Sequence, residues 1–532
     1  MERNIQVREL YAIGERGDIL SYSRNTYRNT QCHIKMQDKL SRKVMEYKGN
    51  RQGHVRASGH FKVYINPCLV SLNSTSLGFH LGPICSTAEC VADDAYLQSD
   101  RPSGLQGALD IISHYAKRYQ LKFNAEKTKI VVFGSKVDMA YYRQTSPWTL
   151  DGEKVKVVDA NEHLGLIVAG IDEEQKNIDN NIKKCRSSLF ALLGPAFAYK
   201  CLLSPMVQLH LWRTCCFPVL LSGLPALPIR PSQIKSLGLF HNKIMRGILK
   251  LSQSSPIPAL HFLLGELPVE AVLHIRTLGL FHNICSNPNY TIHKMILYIM
   301  KMCEENSTTW ANHVSLLCMK YGLPSPLSLL LKGEPLSKQA WNNLVKTKVT
   351  VWHEQNLRKL SLSNSKMAYF NVQLAGLSGR PHPILHNIFT TLDAKKLRLH
   401  IKFLTCDFNT NERLAAGRPE KSPACSLCLA PLDSIEHVLV SCRSTSEIRS
   451  RLYPELVNTV VEVQPMCAIL SQQPSPQVLT QFILDCTSIN LPHSYRIPSH
   501  NPGVANICKV SRDWRYAIFS ERSRLLNLST TN

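Results

Sequence analysis

The sequence predicts an α+β fold for its N-terminal part, then an all-α stretch, then a small zinc-binding helical module near the C-terminus. Three observations lead there. Residues 63–170 alternate short β-branched runs with helix-period runs. From about 172 to 286 the strand signals stop, and apolar residues recur at helical spacing between prolines. Cys425, Cys428, His437 and Cys442 then crowd into one short segment.

The elements follow in order. Residues 1–60 are strongly basic, with Arg24, Arg28, Lys35, Lys39, Arg42, Lys43, Lys48, Arg51 and Arg56. Leu105, Ala108, Leu109, Ile112, Tyr115, Ala116 and Tyr119 form one apolar face of an amphipathic helix. Lys127–Phe133 reads as a strand, Asp151-Gly152 as a turn, and Lys154–Val158 as the next strand. Ile178–Leu193, Met206–Leu221, Gln233–Leu249 and Val269–Asn283 read as helices, with prolines marking the breaks. Pro288 and the run Gly322–Glu334 look like linkers. Residues 336–362 predict a basic helix around Trp341 and Trp352, and Lys509–Leu526 a basic terminal helix. These shifts divide the chain into 1–170, 171–286, 287–400 (a helical connector), 401–460 (the Cys/His region) and 461–532 (a helical tail).

Composition narrows the function classes. The chain has 532 residues, 44% of them hydrophobic, enough for several cores. Lys plus Arg number 62 against 39 Asp plus Glu, a net charge of +23. Such a surplus suits a polyanionic partner, or is a generally basic surface. The charged start at Met1-Glu2-Arg3 does not read as a signal peptide. The apolar stretch Phe217–Ile229 is interrupted by prolines and falls short of the ~20 residues that span a bilayer. The expectation is an intracellular chain, nuclear or cytoplasmic, with no membrane partner. The 18 cysteines are scattered, as reduced thiols are, with one metal site among them. Oligomeric state leaves no trace in the sequence.

Two motifs carry chemistry. At Val91-Ala92-Asp93-Asp94, apolar flanks place two adjacent carboxylates on a hairpin turn. Mg²⁺ takes hard oxygen ligands, and two such ions can organise an in-line phosphoryl transfer. An isolated Asp-Asp turn is also a common surface feature. The second motif is Cys425-x₂-Cys428-x₈-His437-x₄-Cys442. Three thiolates and an imidazole at these spacings can close a tetrahedron around Zn²⁺, with Cys425–Cys428 as the knuckle and His437 and Cys442 on a short helix. A closed four-ligand shell is structural. Lys395, Lys396, Arg398, Lys402, Arg413, Arg443, Arg449 and Arg451 flank it and suit phosphate contacts or ordinary surface charge. His282, His293, Trp310, Trp341 and Trp352 read as packing residues rather than ligands or base-stacking platforms.

The motif order goes further. Gly49-Asn50-Arg51-Gln52-Gly53 precedes the Asp-Asp turn, followed by Phe61 and Tyr64-Ile65-Asn66. After it come the amphipathic helix, Asn124 with Lys127-Thr128-Lys129, and His163-Leu164-Gly165. This order resembles the palm of reverse transcriptases from non-LTR (LINE-type) retrotransposons. The resemblance runs on through helices to the Cys/His cluster, over roughly residues 18–445. It implies a partial palm, a thumb-like helical region and a zinc-knuckle-like end. It implies RNA and DNA as partners, and dNTP and Mg²⁺ if the chain is active. It assigns Asp93 and Asp94 as catalytic metal ligands. Arg51, Gln52, Gly53, Lys127 and Lys129 would lie at the template and nucleotide, and Leu164 and Gly165 in a primer-grip-like turn. Gly53 alternatively serves only a turn, and Lys127 and Lys129 only a solvated edge.

The departures point the other way. Val91 stands where the family usually has an aromatic, and His54–Ser58 replaces its usual turn. Met1–Arg16 holds no Asp where the resemblance would place the first metal-binding carboxylate, and the resemblance implies that the fingers are missing. An N-terminally truncated, catalytically incomplete reverse transcriptase is expected. A non-catalytic nucleic-acid-binding remnant and a decayed reading frame are the alternatives.

Overall fold

The computed structural model describes the chain except residues 51–52, 199–202, 303–307, 333–335, 371–376, 378, 419, 465–473, 489–490, 499–500 and 531–532. It mixes many helices with a few short strands, as an α+β reading requires. Two compact units emerge. One comprises Met1–Glu173, Ile284–Ser307 and Leu327–Gly333; the other Glu174–Asn283, Thr308–Pro326 and Glu334–Asn532. No helix among the described residues is long and apolar enough to cross a membrane.

The first unit is built on two long helices, Ala57–Asn73 and Pro102–Arg118. The second carries the periodicity expected of it, burying Ala108, Leu109, Ile112, Tyr115 and Ala116. Pro102 stands in its first turn, where no N–H is needed. Tyr64, Ile65, Cys68 and Leu72 of the first helix join this core with Ile130, Trp148, Leu150, Val155 and Val157. Buried tyrosines satisfy their hydroxyls on the backbone: Tyr115 donates to the Tyr64 carbonyl and Tyr64 to the Tyr119 carbonyl.

The strands make seven separate two-stranded pairs among the described residues rather than one sheet. Of the expected strand Lys127–Phe133, Lys129–Val131 pairs, in parallel with Lys156–Val158. The ladder ends there because Asn124 folds the preceding residues into a turn, accepting from the Lys127 amide at 3.1 Å. Residues 1–60 hold two helices, Arg3–Ala12 and Gly17–Thr26, the first with little apolar period to announce it. At Gly82, φ is +59° and a side chain would push on the Tyr298 ring, so glycine suits the close approach of the Phe79–Ser86 hairpin to the Thr291–Met302 helix.

The second unit is helical. Glu173–Ala198 runs into it, and Pro231–Leu249 and Val269–Cys285 follow where expected. Met206–Leu221 is not one regular helix. Pro205–Leu211 passes through a π turn, Trp212–Cys216, into Phe217–Leu220. Pro218 has no N–H for the ladder, and the backbone absorbs the loss by widening the turn before it. The linker-like run Gly322–Glu334 also differs from expectation. Gly322 caps the Trp310–Tyr321 helix at φ +60°, and Pro326–Lys332, counted from Leu327 with the first unit, is a helix of its own. The basic helix at Lys338–Leu362 and the terminal helix at Val504–Thr530 are both present.

Candidate functional site

The Asp-Asp turn is anchored from below. Asn73, closing the Ala57–Asn73 helix, accepts from the Thr87 and Ala88 amides at 3.1 Å and donates to the Ala88 carbonyl at 3.0 Å. Ala88 is buried, which fixes the face of the strand it starts. Strand Ala88–Val91 then pairs antiparallel with Asp94–Leu97, Val91 opposite Asp94. Ala92 and Asp93 are the two-residue loop between them. Ala92 has φ +56°, the left-handed region that glycine normally fills at this turn position. Both aspartates are exposed. Their charges, after burial, help push the neighbouring Cys90 thiol up.

A second hairpin stands beside the first. Ala160–His163 pairs with Leu166–Ala169, His163 opposite Leu166. Leu164 at φ +51° and Gly165 at φ +81° make its turn, with both central residues left-handed. The Tyr96 ring lies 5.5 Å from the His163 ring, centroid to centroid, across the two hairpins. A tight carboxylate turn, a long apolar helix behind it and a second hairpin at its flank are thus assembled by residues of one unit.

Residues 4–177 match the family model described as reverse transcriptase (RNA-dependent DNA polymerase). The match covers about a third of the chain, and the whole Asp-Asp hairpin lies inside it. A comparison with curated proteins finds no match.

Within the matched segment the remaining sequence-assigned residues take varied places. Arg51 and Gln52 lie outside the described residues. Gly53 is exposed at φ +82°, with open space where a side chain would be. Lys127 is exposed, and the Lys129 ammonium donates to the Glu126 carbonyl close in sequence. Among the described residues, two clusters bring three or more metal-ligand side chains close together, and neither includes Asp93 or Asp94. The two carboxylates can hold a cation with water completing its shell.

The Cys/His motif does converge. The ligand atoms of Cys425, Cys428, His437 and Cys442 all lie within 4.8 Å of one another. Cys428 Sγ is 3.3 Å from His437 Nε2 and 3.8 Å from Cys442 Sγ. A tetrahedron with zinc–sulfur arms of ~2.3 Å has edges of ~3.8 Å, so the residues fit Zn²⁺. Local structure explains the convergence. The Leu429 amide donates to the Cys425 carbonyl at 3.0 Å and the Cys425 amide to the Ala430 carbonyl at 2.9 Å, curling the knuckle. His437–Ser441 forms a π turn, and Cys442 follows it in extended backbone. Burial raises the Cys442 thiol to about 11. At Cys428 burial is outweighed by hydrogen bonds from the Ala430 backbone and the neighbouring thiols, and the thiol sits below its usual value.

The flanking cations are partly committed inward. Lys396 pairs with Asp513 at 2.6 Å, Arg413 with Asp407 at 3.6 Å, and Arg449 donates to the Thr445 hydroxyl at 2.7 Å. Lys395, Lys402, Arg443 and Arg451 are exposed. The tryptophans and histidines pack as expected. Trp341 donates to the Leu278 carbonyl at 3.0 Å, Trp310 to the Pro225 carbonyl at 2.8 Å, and Trp352 lies under the Lys320 ammonium. His282 meets the Leu336 carbonyl at 2.7 Å and His293 the Ile284 carbonyl at 3.0 Å.

A second cluster escaped sequence reasoning: Glu270, His274 and His353. Glu270 and His274 share a helix face at i, i+4, but nothing in sequence brings His353 to them. Its groups are largely taken. Lys320 pairs with Glu270 at 2.6 Å, and the Tyr321 hydroxyl bridges His274 Nδ1 at 2.6 Å and His353 Nε2 at 3.1 Å. Burial holds His274 at about 2 and His353 at about 4. A cation entering would displace an ammonium, so the arrangement is a buried polar network.

Proposed function

We propose that this chain is a reverse transcriptase of non-LTR retrotransposon lineage that grips nucleic acid but, by itself, does not extend a primer. One observation carries the lineage: the Asp93-Asp94 hairpin lies inside the reverse-transcriptase match, in the motif order of that family. The Cys₃His cluster downstream supports the same parentage. In this reading Asp93 and Asp94 bind Mg²⁺, and Leu164 and Gly165 form the primer-grip-like turn. Gly53, Lys127 and Lys129 face template and nucleotide along with Arg51 and Gln52. Zn²⁺ on Cys425, Cys428, His437 and Cys442 is structural, and RNA and DNA are the partners. The palm corresponds to 1–170, the thumb-like region to 171–286 and the zinc region to 401–460. The inactivity is read from charge: among the described residues no third ligand side chain clusters with the two exposed carboxylates, which would leave a two-ion transition state under-stabilised.

The test uses purified full chain with a DNA primer on an RNA template, dNTPs and Mg²⁺. Binding should weaken steeply with salt, as phosphate contacts require, and no extension should appear. Extension that Asp93→Ala abolishes would overturn the inactivity. Salt-independent binding would overturn the nucleic-acid reading.

A further inference from the structure

Arg522 lies on the C-terminal helix Val504–Thr530, remote in sequence from the metal motif. The helix nonetheless packs on that motif. Trp514, buried on the same helix, donates to the Leu439 carbonyl at 3.2 Å, inside the π turn that carries His437. Two turns further along, Arg522 is 7% exposed, and its Nη1 lies 3.6 Å from Cys425 Sγ. Its Nη2 donates to both oxygens of Asp433, at 3.0 and 2.8 Å. Asp433 is itself fully buried and accepts from the Asn411 amide at 2.9 Å.

The chain of contacts has a direction. The Asn411 amide fixes Asp433. Both Asp433 oxygens accept from Nη2, which anchors that end of the guanidinium. With Nη2 anchored, the planar group carries its other terminal nitrogen, Nη1, to the Cys425 sulfur. A shell of three thiolates, one neutral imidazole and a divalent cation carries a net negative charge. Buried charge needs a partner. A guanidinium keeps its proton at any ordinary pH and supplies that partner without competing as a ligand.

We propose that Arg522 is an outer-sphere positioning residue of the metal site. Its guanidinium donates to the Cys425 thiolate, holds that thiolate in the metal shell and blunts its nucleophilicity. The inference rests on the zinc reading. It gives the C-terminal helix a purpose that the four-ligand motif does not hint at: the tail completes the metal module from outside the motif.

The experiment takes the full chain loaded with zinc and measures zinc release to a chelator, with alkylation of Cys425 by iodoacetamide followed by mass spectrometry. Outer-shell partners of metal ligands are typically worth about 10- to 100-fold in metal affinity. Arg522→Met should therefore release zinc at least ~10-fold faster and expose Cys425 to alkylation, with the helical circular dichroism retained. Arg522→Lys, which keeps the charge but lacks the fork, should recover only part of the loss. Asp433→Asn guards against a misfolded Arg522→Met, because it leaves the cation and loosens its aim; it should move both readouts in the same direction. Wild-type release and alkylation rates in Arg522→Met and Asp433→Asn would overturn the inference while zinc binding stands. A wild-type chain that holds no more zinc than Cys425→Ser would overturn the zinc reading, and this inference with it.

Discussion

The rings of Tyr96 and His163 lie 5.5 Å apart at an interplanar angle of 34°, joining the strand after the Asp-Asp turn to the strand before Leu164-Gly165. Each hairpin has only four paired positions, too few to hold its geometry alone. The ring contact lets each brace the other, worth about 0.5–1.5 kcal/mol beyond area burial. Tyr96→Ala should raise amide exchange in both hairpins, residues 88–97 and 160–169, by severalfold, while Tyr96→Phe leaves both near wild type. Loosening confined to residues 88–97 would show that the hairpins are independent.

Ala92 sits in left-handed backbone at φ +56°, which costs an L-residue about 1–2 kcal/mol. Glycine adopts the same angles without that cost. Ala92→Gly should slow exchange of the Glu89 to Tyr96 amides by about fivefold or more. A faster exchange would mean that Ala92 contributes packing that outweighs its backbone strain.

His241 is fully buried against Trp212 and Phe217, and neither ring nitrogen has a hydrogen-bond partner among the described residues. Burial lowers its pKa to about 3. The unfolded histidine takes up a proton below ~6.5; the folded one does not until about 3. Between those values the unfolded state binds more protons, so stability falls as pH drops. His261, held at about 4, adds to the same acid limb. His241→Phe fills the same space and removes the unsatisfied nitrogens. It should stabilise the second unit at neutral pH by about 1–3 kcal/mol and make its urea midpoint less sensitive to pH from 6 to 4. A lower midpoint at pH 7 would contradict this account.

Much of the local structure was legible in the chain. The Pro102–Arg118 helix follows from apolar spacing, and the Asp-Asp hairpin from two carboxylates between apolar flanks. The Cys₃His convergence follows from ligand spacing alone. The misses have two causes. The helix at Arg3–Ala12 carries little apolar period, and packing rather than propensity holds it, as Leu10 at 1% exposure shows. The π turn at Trp212–Cys216 depends on how one backbone absorbs Pro218.

By itself, the sequence determined what is local: helical and strand periods, the turn that carries Asp93 and Asp94, and four metal-ligand residues within one short segment. Each is encoded within a few turns of chain, where spacing translates directly into geometry. Only the tertiary structure decided which distant groups meet. Arg522 reaches Cys425 across 97 positions, Tyr96 meets His163, and Lys320 pairs with the Glu270 that faces two histidines. Such meetings depend on the packing of whole helices and hairpins, a property that no window of neighbouring residues contains.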